Sequence, residues 1–245
     1  MVDHVATTTL GLIKAEIMKL RGSLVVWLSV AVPGLVLLLG LLALLNDATQ
    51  AEMFMIGTAS LWAYAMLPLG TMALTVVLAQ IEHGARAWDP LLSLPGTRRR
   101  IFIIKLTAAA LVLGLWTLTL GIGVTILATI FDVRVPPELL SMLPGGSYEA
   151  ILARMWGASL FMLVVQYGLA LYFRSFVPPL LFGVGGIIFA VGATSTKWGI
   201  YFPWLLPTNQ LASEHARADF ALWLGLGGAV VCAAILQWLM ARREW

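Results

Sequence analysis

The chain has 245 residues, of which 60% are apolar and 11% are charged, and its mean hydropathy is +0.93. A water-soluble fold of this composition would have too little polar surface to cover itself, which excludes a soluble enzyme or binding domain. The formal net charge is only +3, so the positions of the charges say more than their sum. The sequence therefore predicts an all-α, polytopic membrane protein with a single transmembrane domain over residues 1–245.

Residues 1–23 are predicted to form an N-terminal interfacial helix. Leu10, Ile13, Ile17 and Leu20 recur at helical spacing, with basic residues among them. Such a helix lies on the bilayer, with its apolar side against lipid and its basic side chains reaching the phosphates. The alternative is a basic, partly ordered tail.

Six transmembrane helices are predicted after this segment. Their approximate limits are 24–45, 54–80, 102–130, 152–173, 176–195 and 220–241. Five of these segments are long enough to cross about 30 Å of hydrocarbon. The length of the fifth segment, 176–195, is doubtful. Because the fifth begins at Pro178-Pro179 and contains three glycines, a broken or tilted helix is expected there.

The basic residues predict that both termini are cytoplasmic. With this orientation, 11 basic residues lie inside and 4 lie outside. The inner residues are Lys14, Lys19, Arg21, Arg86, Arg98, Arg99, Arg100, Lys105, Arg174, Arg242 and Arg243. The outer residues are Arg134, Arg154, Lys197 and Arg217.

Residues 196–219 connect the fifth and sixth spans on the predicted outer side. The segment is too apolar for a free loop, with aromatic residues such as Trp198 and Trp204, while Pro203 and Pro207 prevent one continuous helix. Two short extracellular helices are expected, either interfacial or re-entrant, with aromatic rings at headgroup depth.

The spans contain few groups that could support chemistry. Apart from Lys105 and Arg154 near span ends, the predicted spans carry no charged residue, which disfavours a proton-coupled carrier or an intramembrane hydrolase. His4, His83 and His215 are too scattered for one metal site. No G-x-x-x-x-G-K-[ST] phosphate loop is present. The sequence predicts no catalytic residue, no metal and no cofactor bound by this chain.

Neutral polar and small residues suggest two further features of the spans. Gln80, Thr117, Thr125 and Gln166 are candidates for lining a substrate pathway, although threonine hydroxyls also bond to carbonyls of their own helix.

The last span has small residues at every fourth position, a spacing that lets helix backbones approach closely. These residues are Ala221, Gly225, Ala229 and Ala233. Packing within the chain is the first interpretation, and a seam between two chains is the alternative.

The loop at residues 81–100 is the longest polar interruption in the first two thirds of the chain. Asp89 can cap a helix whose first position is Pro90, and Pro95-Gly96 then ends it. The resulting short helix lies parallel to the membrane. It presents Trp88, Leu91 and Leu92 between acidic and basic residues.

Glu82 is predicted to anchor the end of the second span. It can pair with Arg86 four residues later, or make a desolvated contact with a cation of the N-terminal helix or of a partner protein. Two alternatives for the loop remain: Arg98, Arg99 and Arg100 only satisfy the positive-inside rule, or the apolar side chains lie on lipid.

Two motifs resemble the type-2 ABC exporter permeases. They are K-x-E-I-x-K-L-R at residues 14–21 and E-H-x-x-x-x-W-D-P-L-L-S-L-P-x-x-R-x-x-I-x-x-x-K at residues 82–105. Together with six spans, they are most similar to the branch that contains the lantibiotic-immunity and bacitracin-resistance permeases.

This resemblance implies a bacterial cytoplasmic membrane protein whose loop at residues 81–100 is a coupling helix. That helix docks on a separate ABC ATPase subunit, which binds ATP and Mg²⁺. The contacting residues would be Glu82, Arg86, Trp88, Asp89, Leu91 and Leu92. The resemblance also implies a second permease chain, identical or related, and no nucleic-acid partner.

The implied substrate is amphipathic or lipid-like, such as an antimicrobial peptide exported for immunity or resistance. Two other functions stay open: a membrane scaffold or anchor subunit that transports nothing, and a secondary carrier. A secondary carrier would need a charged residue within the membrane, which the predicted spans lack away from their ends.

Overall fold

The computed structural model describes residues 9–46, 51–84, 98–133, 138 and 143–242, and all regular structure in this part of the chain is helical. Helix α1 is Thr9–Arg21 and α2 is Leu24–Leu45. Helix α3 is continuous and comprises Ala51–Leu61, a π-helical turn at Trp62–Met66, and Leu67–Gly84. The remaining helices are α4 (Arg98–Ile130), α5 (Tyr148–Tyr172), α6 (Val177–Ala193) and α7 (His215–Arg242).

Five of these helices are long and apolar enough to cross a membrane: α2, α3, α4, α5 and α7. This confirms a multi-pass helical architecture, but the prediction of six spans is not confirmed. Helix α6, predicted at 176–195, has only 17 residues, which corresponds to about 26 Å at 1.5 Å per residue. It therefore falls short of the roughly 30 Å that a perpendicular span requires.

Helix α1 joins α2 at a sharp corner made by Ser23. The Ser23 hydroxyl accepts a hydrogen bond from the Val25 amide at 3.2 Å, which caps the first turn of α2. Along α1, Leu12 is buried whereas Leu10 and Ile17 are exposed. Part of the apolar stripe predicted to contact lipid is thus left uncovered by the rest of the chain.

The π-helical turn of α3 lies just before a proline. Pro68 has no N–H to donate to the carbonyl of Tyr64, and its ring would clash with that carbonyl in a regular helix. The helix widens by one residue instead, and the Leu67 amide bonds to the Trp62 carbonyl. The π-helical turn changes the direction in which the side chains around Tyr64 leave the helix.

Helix α5 is the centre of the bundle and packs against α3, α4, α6 and α7. Large side chains fill the space around it, including Trp62, Trp116 and Tyr167, all buried. Two indoles also satisfy their N–H groups between helices. Trp116 Nε1 donates to Ser29 Oγ at 2.7 Å, and Trp156 Nε1 donates to the Ala110 carbonyl at 2.9 Å.

Helix α7 packs along α5 through the small residues that repeat every four positions. A methyl group added to Gly225 would lie 2.5 Å from Ala158 Cα, so the two backbones are in direct contact there. Ala221 and Ala229 are buried, and Ala233 is partly buried. The first three residues of the repeat are therefore packed within this chain, and the fourth is partly covered.

The predicted outer segment forms three short 3₁₀ helices rather than two helices. They are Lys197–Tyr201, Pro203–Leu205 and Thr208–Leu211. The segment divides into an exposed part with Trp198 and a buried part with Trp204. A methyl group at Gly186 of α6 would lie 2.6 Å from Trp204, so this indole is inserted against the middle of α6.

The bundle has two ends, which are named here by their contents. The loop end contains the last turn of α3 and the first turns of α4, from which residues 85–97 extend. The opposite end contains the 3₁₀ helices and the first turns of α5 and α7. Helix α6 runs from the loop end towards the opposite end.

Candidate functional site: a charged cluster at the loop end

Glu82 lies in the last turn of α3, and its side chain is 1% exposed. A carboxylate at such a position is unstable unless cations compensate for the lost hydration. Lys105, which lies two turns into α4, supplies one cation, with its Nζ 2.6 Å from Glu82 Oε1. The two helices that border residues 85–97 are therefore joined by a buried ion pair.

Helix α1 adds a second layer of charges to this pair. Lys19 Nζ lies 2.8 Å from Glu82 Oε1, and Lys105 Nζ lies 2.7 Å from Glu16 Oε1. Lys19 and Glu16 also contact each other at 3.3 Å, one turn apart on α1. The four side chains form a closed ring of alternating charge with no net charge, hereafter the charged cluster.

The charged cluster changes the titration of Lys19. Burial alone would lower the pKa of this amine, but the hydrogen bond to Glu82 and the negative charges of Glu16 and Glu82 outweigh it and raise the pKa. Lys19 is thus held more firmly in its charged form than a lysine in water. The interaction between α1 and α3 persists throughout the physiological pH range.

Neutral hydrogen bonds anchor the same end of α3 from the other side. His83 Nε2 lies 3.2 Å from the carbonyl of Ala170 in α5. Gln80 Nε2 donates to the carbonyl of Arg174, between α5 and α6, at 3.1 Å. The last turn of α3 is therefore held by α1, by α4 and by the junction of α5 with α6.

This arrangement ties three helices together. Each lysine contacts both glutamates, and Glu82 Oε2 is buried without a hydrogen-bond partner among the described residues. Charge-assisted hydrogen bonds are strong and directional, and their loss inside a protein is costly. A displacement of the last turn of α3 would therefore be transmitted to α1 and α4.

The sequence left three partners open for Glu82: Arg86, a cation of the N-terminal helix, or a cation of a partner protein. The structure places Lys19 of the N-terminal helix 2.8 Å from Glu82 Oε1. The roles of Glu16 and Lys105 were missed. The only signal for Glu16 was its placement three residues before Lys19, on one face of a helix.

The other predicted ATPase-contact residues lie outside the described residues. They are Arg86, Trp88, Asp89, Leu91 and Leu92. The pair of Glu82 with Arg86 and the short helix that begins at Pro90 stay predictions.

The four candidate pathway residues are found as two pairs. Gln80 and Gln166 lie near the beginning of α6, where Gln166 Nε2 donates to the Pro179 carbonyl at 2.6 Å. Thr117 and Thr125 lie on α4 and donate to the carbonyls of Leu113 and Gly121, each at 2.9 Å. The threonines thus make the bonds within their own helix that were weighed as the alternative.

A known protein family matches most of the chain. The family model described as "ABC-2 family transporter protein" matches residues 12–190, which is 179 of 245 residues. The matched region contains all four members of the charged cluster. Neither the curated proteins nor the solved structures compared with the chain gave a match.

Proposed function

The chain belongs to the ABC-2 transporter family, and we propose that it is the permease subunit of an ABC exporter driven by a separate ATPase subunit. The observation that carries this proposal is the charged cluster. It ties both helices that border the loop at residues 81–100 to α1, at the position where an attached ATPase would push.

In the proposed mechanism, the ATPase binds ATP and Mg²⁺ and docks on the loop at residues 81–100. Its ATP-driven closure displaces the loop. Because the charged cluster joins the last turn of α3 to α1 and to α4, these three elements move together. The movement then changes the packing of α3 and α4 on α5, which alternately opens and closes a path for the substrate.

We propose that the substrate is amphipathic or lipid-like, such as an antimicrobial peptide. An apolar groove of about 620 Å³ between α4 and α5 supports this proposal. Thr117 and Thr125 lie in the groove, and Glu149 lies at one end of it, 3.4 Å from the Thr125 hydroxyl. A second permease chain, identical or related, would complete the path.

Co-expression with the ABC ATPase encoded nearest on the same genome tests the proposal. We expect the ATPase to co-purify with the tagged permease and to hydrolyse ATP faster in reconstituted membranes than alone. The Glu82→Gln variant should bind the ATPase but lose this stimulation, whereas Asp219→Asn at the opposite end should retain it. If no ATPase co-purifies under any condition, the chain is a membrane scaffold and the proposal is wrong.

The substrate is tested separately in a deletion strain. Loss of the permease should sensitise cells to cationic amphipathic peptides but not to small hydrophilic antibiotics. Complementation with Glu149→Gln should restore less resistance than complementation with the wild-type chain. A strain whose susceptibility to amphipathic compounds is unchanged would contradict the proposed substrate class but not the role as a permease.

A further inference from the structure

A polar cavity of about 340 Å³ lies at the opposite end of the bundle from the charged cluster. Tyr64 in its wall precedes Glu82 by 18 residues on α3, or about 27 Å at 1.5 Å per residue. The other walls come from the third 3₁₀ helix and the first turn of α7. Its volume falls within the range of cavities that bind small molecules.

The local folds that build this cavity depart from regular helix. The π-helical turn before Pro68 places Tyr64 in one wall, and such turns are frequent at functional sites. Pro207 precedes the 3₁₀ helix Thr208–Leu211, which is inserted between α5 and α7 and supplies the floor. Apolar packing at this place would stabilise the protein more than a polar cavity does.

Two buried polar atoms in the cavity wall have no hydrogen-bond partner among the residues that the structure describes. They are Thr208 Oγ1 and Asn209 Nδ2, on side chains that are 7% and 6% exposed. A buried donor without a partner is costly, and native proteins rarely keep one unless water or a ligand satisfies it. As the side chains stand, both atoms have almost no surface open to the cavity, so a ligand would reach them only after Thr208 and Asn209 change rotamer.

The orientation of the Asn209 amide is set by a neighbouring cation. Arg217 Nε donates to Asn209 Oδ1 at 3.0 Å, so the amide NH₂ group is turned away from the guanidinium. This contact uses only one edge of the guanidinium. Within the described part of the chain, its two terminal nitrogens bond to no acceptor and remain able to donate.

The charges of the site favour an acceptor with negative charge. The guanidinium of Arg217, the amide of Asn209 and the hydroxyl of Thr208 are all donors, and their residues line one cavity beside the N-terminus of the 28-residue α7. The positive end of a helix and a guanidinium both stabilise an oxyanion. One acid, Glu214, also lines the cavity, but it is exposed, so solvent screens its repulsion.

We propose that this cavity binds a phosphate group, held by Arg217, Asn209 and Thr208. The phosphate would belong either to a small soluble phosphate compound or to a phospholipid head group, since both offer the same acceptor oxygens. The site is remote from the charged cluster, and the inference does not rest on the proposed transport function.

Binding can be measured on the purified full chain in an uncharged detergent. Inorganic phosphate and monomeric dihexanoyl phosphatidylglycerol are the two probes, followed by microscale thermophoresis at constant ionic strength. We expect saturable binding of at least one probe. Binding of the short-chain lipid alone identifies a head-group site, and binding of inorganic phosphate identifies a site for soluble phosphates.

Three variants at the site and one control variant test the assignment of residues. Arg217→Gln and Asn209→Asp should weaken binding about tenfold or more, because each removes a donor to a charged ligand. Thr208→Val keeps the shape of the side chain and should weaken binding by a smaller factor, which protects the test if the other variants unfold. Lys197→Gln removes an exposed cation from the same end and should leave binding unchanged.

The proposal is overturned if neither probe binds saturably to a folded wild-type chain. It is also overturned if Arg217→Gln and Thr208→Val bind as tightly as the wild type. Equal weakening by Lys197→Gln and Arg217→Gln would show general attraction to a positive surface, and it would likewise exclude a built site.

Discussion

The amine of Lys105 lies 2.6 Å from Glu82 Oε1 and joins the last turn of α3 to the beginning of α4. Both side chains are almost fully buried, with 5% and 1% of their surfaces exposed. This pair closes the base of the loop that the sequence assigns to ATPase contact. The two helices that border this loop are therefore fixed to each other, as the proposed transfer of force from an ATPase would require.

Removal of the Glu82 charge should destabilise the protein substantially. In Glu82→Gln, Lys105 and Lys19 both depend on Glu16 alone, and a buried cation that loses its partner typically costs roughly 3 kcal/mol. The free energy of unfolding, from reversible denaturation in mixed micelles, checks this expectation. Asp219→Asn is the matched control, since its pair with Arg154 is half exposed and should contribute less than about 1 kcal/mol.

A charge reversal separates the ion pair from other effects of substitution. Glu82→Lys and Lys105→Glu should each be unstable alone, and the double variant should lose less stability than the two single losses added together. The pair between positions 82 and 105 is restored in it, whereas the contacts with Lys19 and Glu16 become repulsive. If the double variant loses as much unfolding free energy as the two single variants added together, Glu82 and Lys105 are not energetically coupled.

Lys19 should make a contribution to stability that is lost only at high pH. Its folded pKa is raised above the ordinary value of 10.5, so the charged form is favoured by folding. The contribution is complete below pH 10.5 and declines as the pH rises through the folded pKa. The stability difference between the wild type and Lys19→Met should therefore be constant from pH 7 to about 9.5 and shrink as the pH rises from 10.5 through the folded pKa.

Lys19→Arg is the control for this pH dependence, because a guanidinium stays charged in the whole range. The stability difference between Lys19→Arg and Lys19→Met should not shrink at high pH. A difference between wild type and Lys19→Met that grows with pH would contradict the sign argued here.

Gly225 and Gly227 form a matched pair for the contact of α7 with α5. A methyl group at Gly225 would meet the Ala158 backbone at 2.5 Å, whereas one at Gly227 would meet nothing within 4 Å. Gly225→Ala should cost about 1–3 kcal/mol by forcing the helices apart. Gly227→Ala should be neutral or stabilising, since alanine favours the helix. Equal thermal stability of the two variants would show that α7 is free to move away from α5.

Trp88 lies outside the described residues, and its predicted role is tested by ATPase retention. Trp88→Ala should weaken association with the ATPase by about 2 kcal/mol or more if the indole is buried at the interface. Arg99→Ala removes an exposed cation from the same end of the bundle and should change the association with the ATPase little. Normal retention of the ATPase by Trp88→Ala would indicate that this loop faces lipid instead.

Several helix limits could be predicted because the bilayer itself defines them. The first span was expected at 24–45 and is observed at Leu24–Leu45, where Ser23 and Asn46 provide polar ends. The third span was expected from 102, but α4 begins at Arg98, since arginine is a good helix former and the helix extends beyond the hydrocarbon. Composition predicts where the hydrocarbon layer of the bilayer ends. A helix can continue beyond that boundary.

The fifth span shows where this logic fails. Its glycines and prolines predicted a broken or tilted helix; α6 is short and unbroken at Val177–Ala193, and its tilt stays a prediction. Gly183 and Gly186 leave room for Met72 and Trp204. These glycines serve packing, which a count of apolar residues does not reveal.

By itself, the sequence determined that the chain is helical, apolar enough to cross a membrane repeatedly, and similar in its loop to a transporter family. These properties depend on residues that are neighbours along the chain. Only the tertiary structure decided which charges pair and which polar groups line a cavity. Glu16 and Lys105 are 89 positions apart, and Tyr64 and Arg217 are further still. Their meeting depends on how separate helices pack, because local hydrophobic periodicity carries no information about the partner across a bundle.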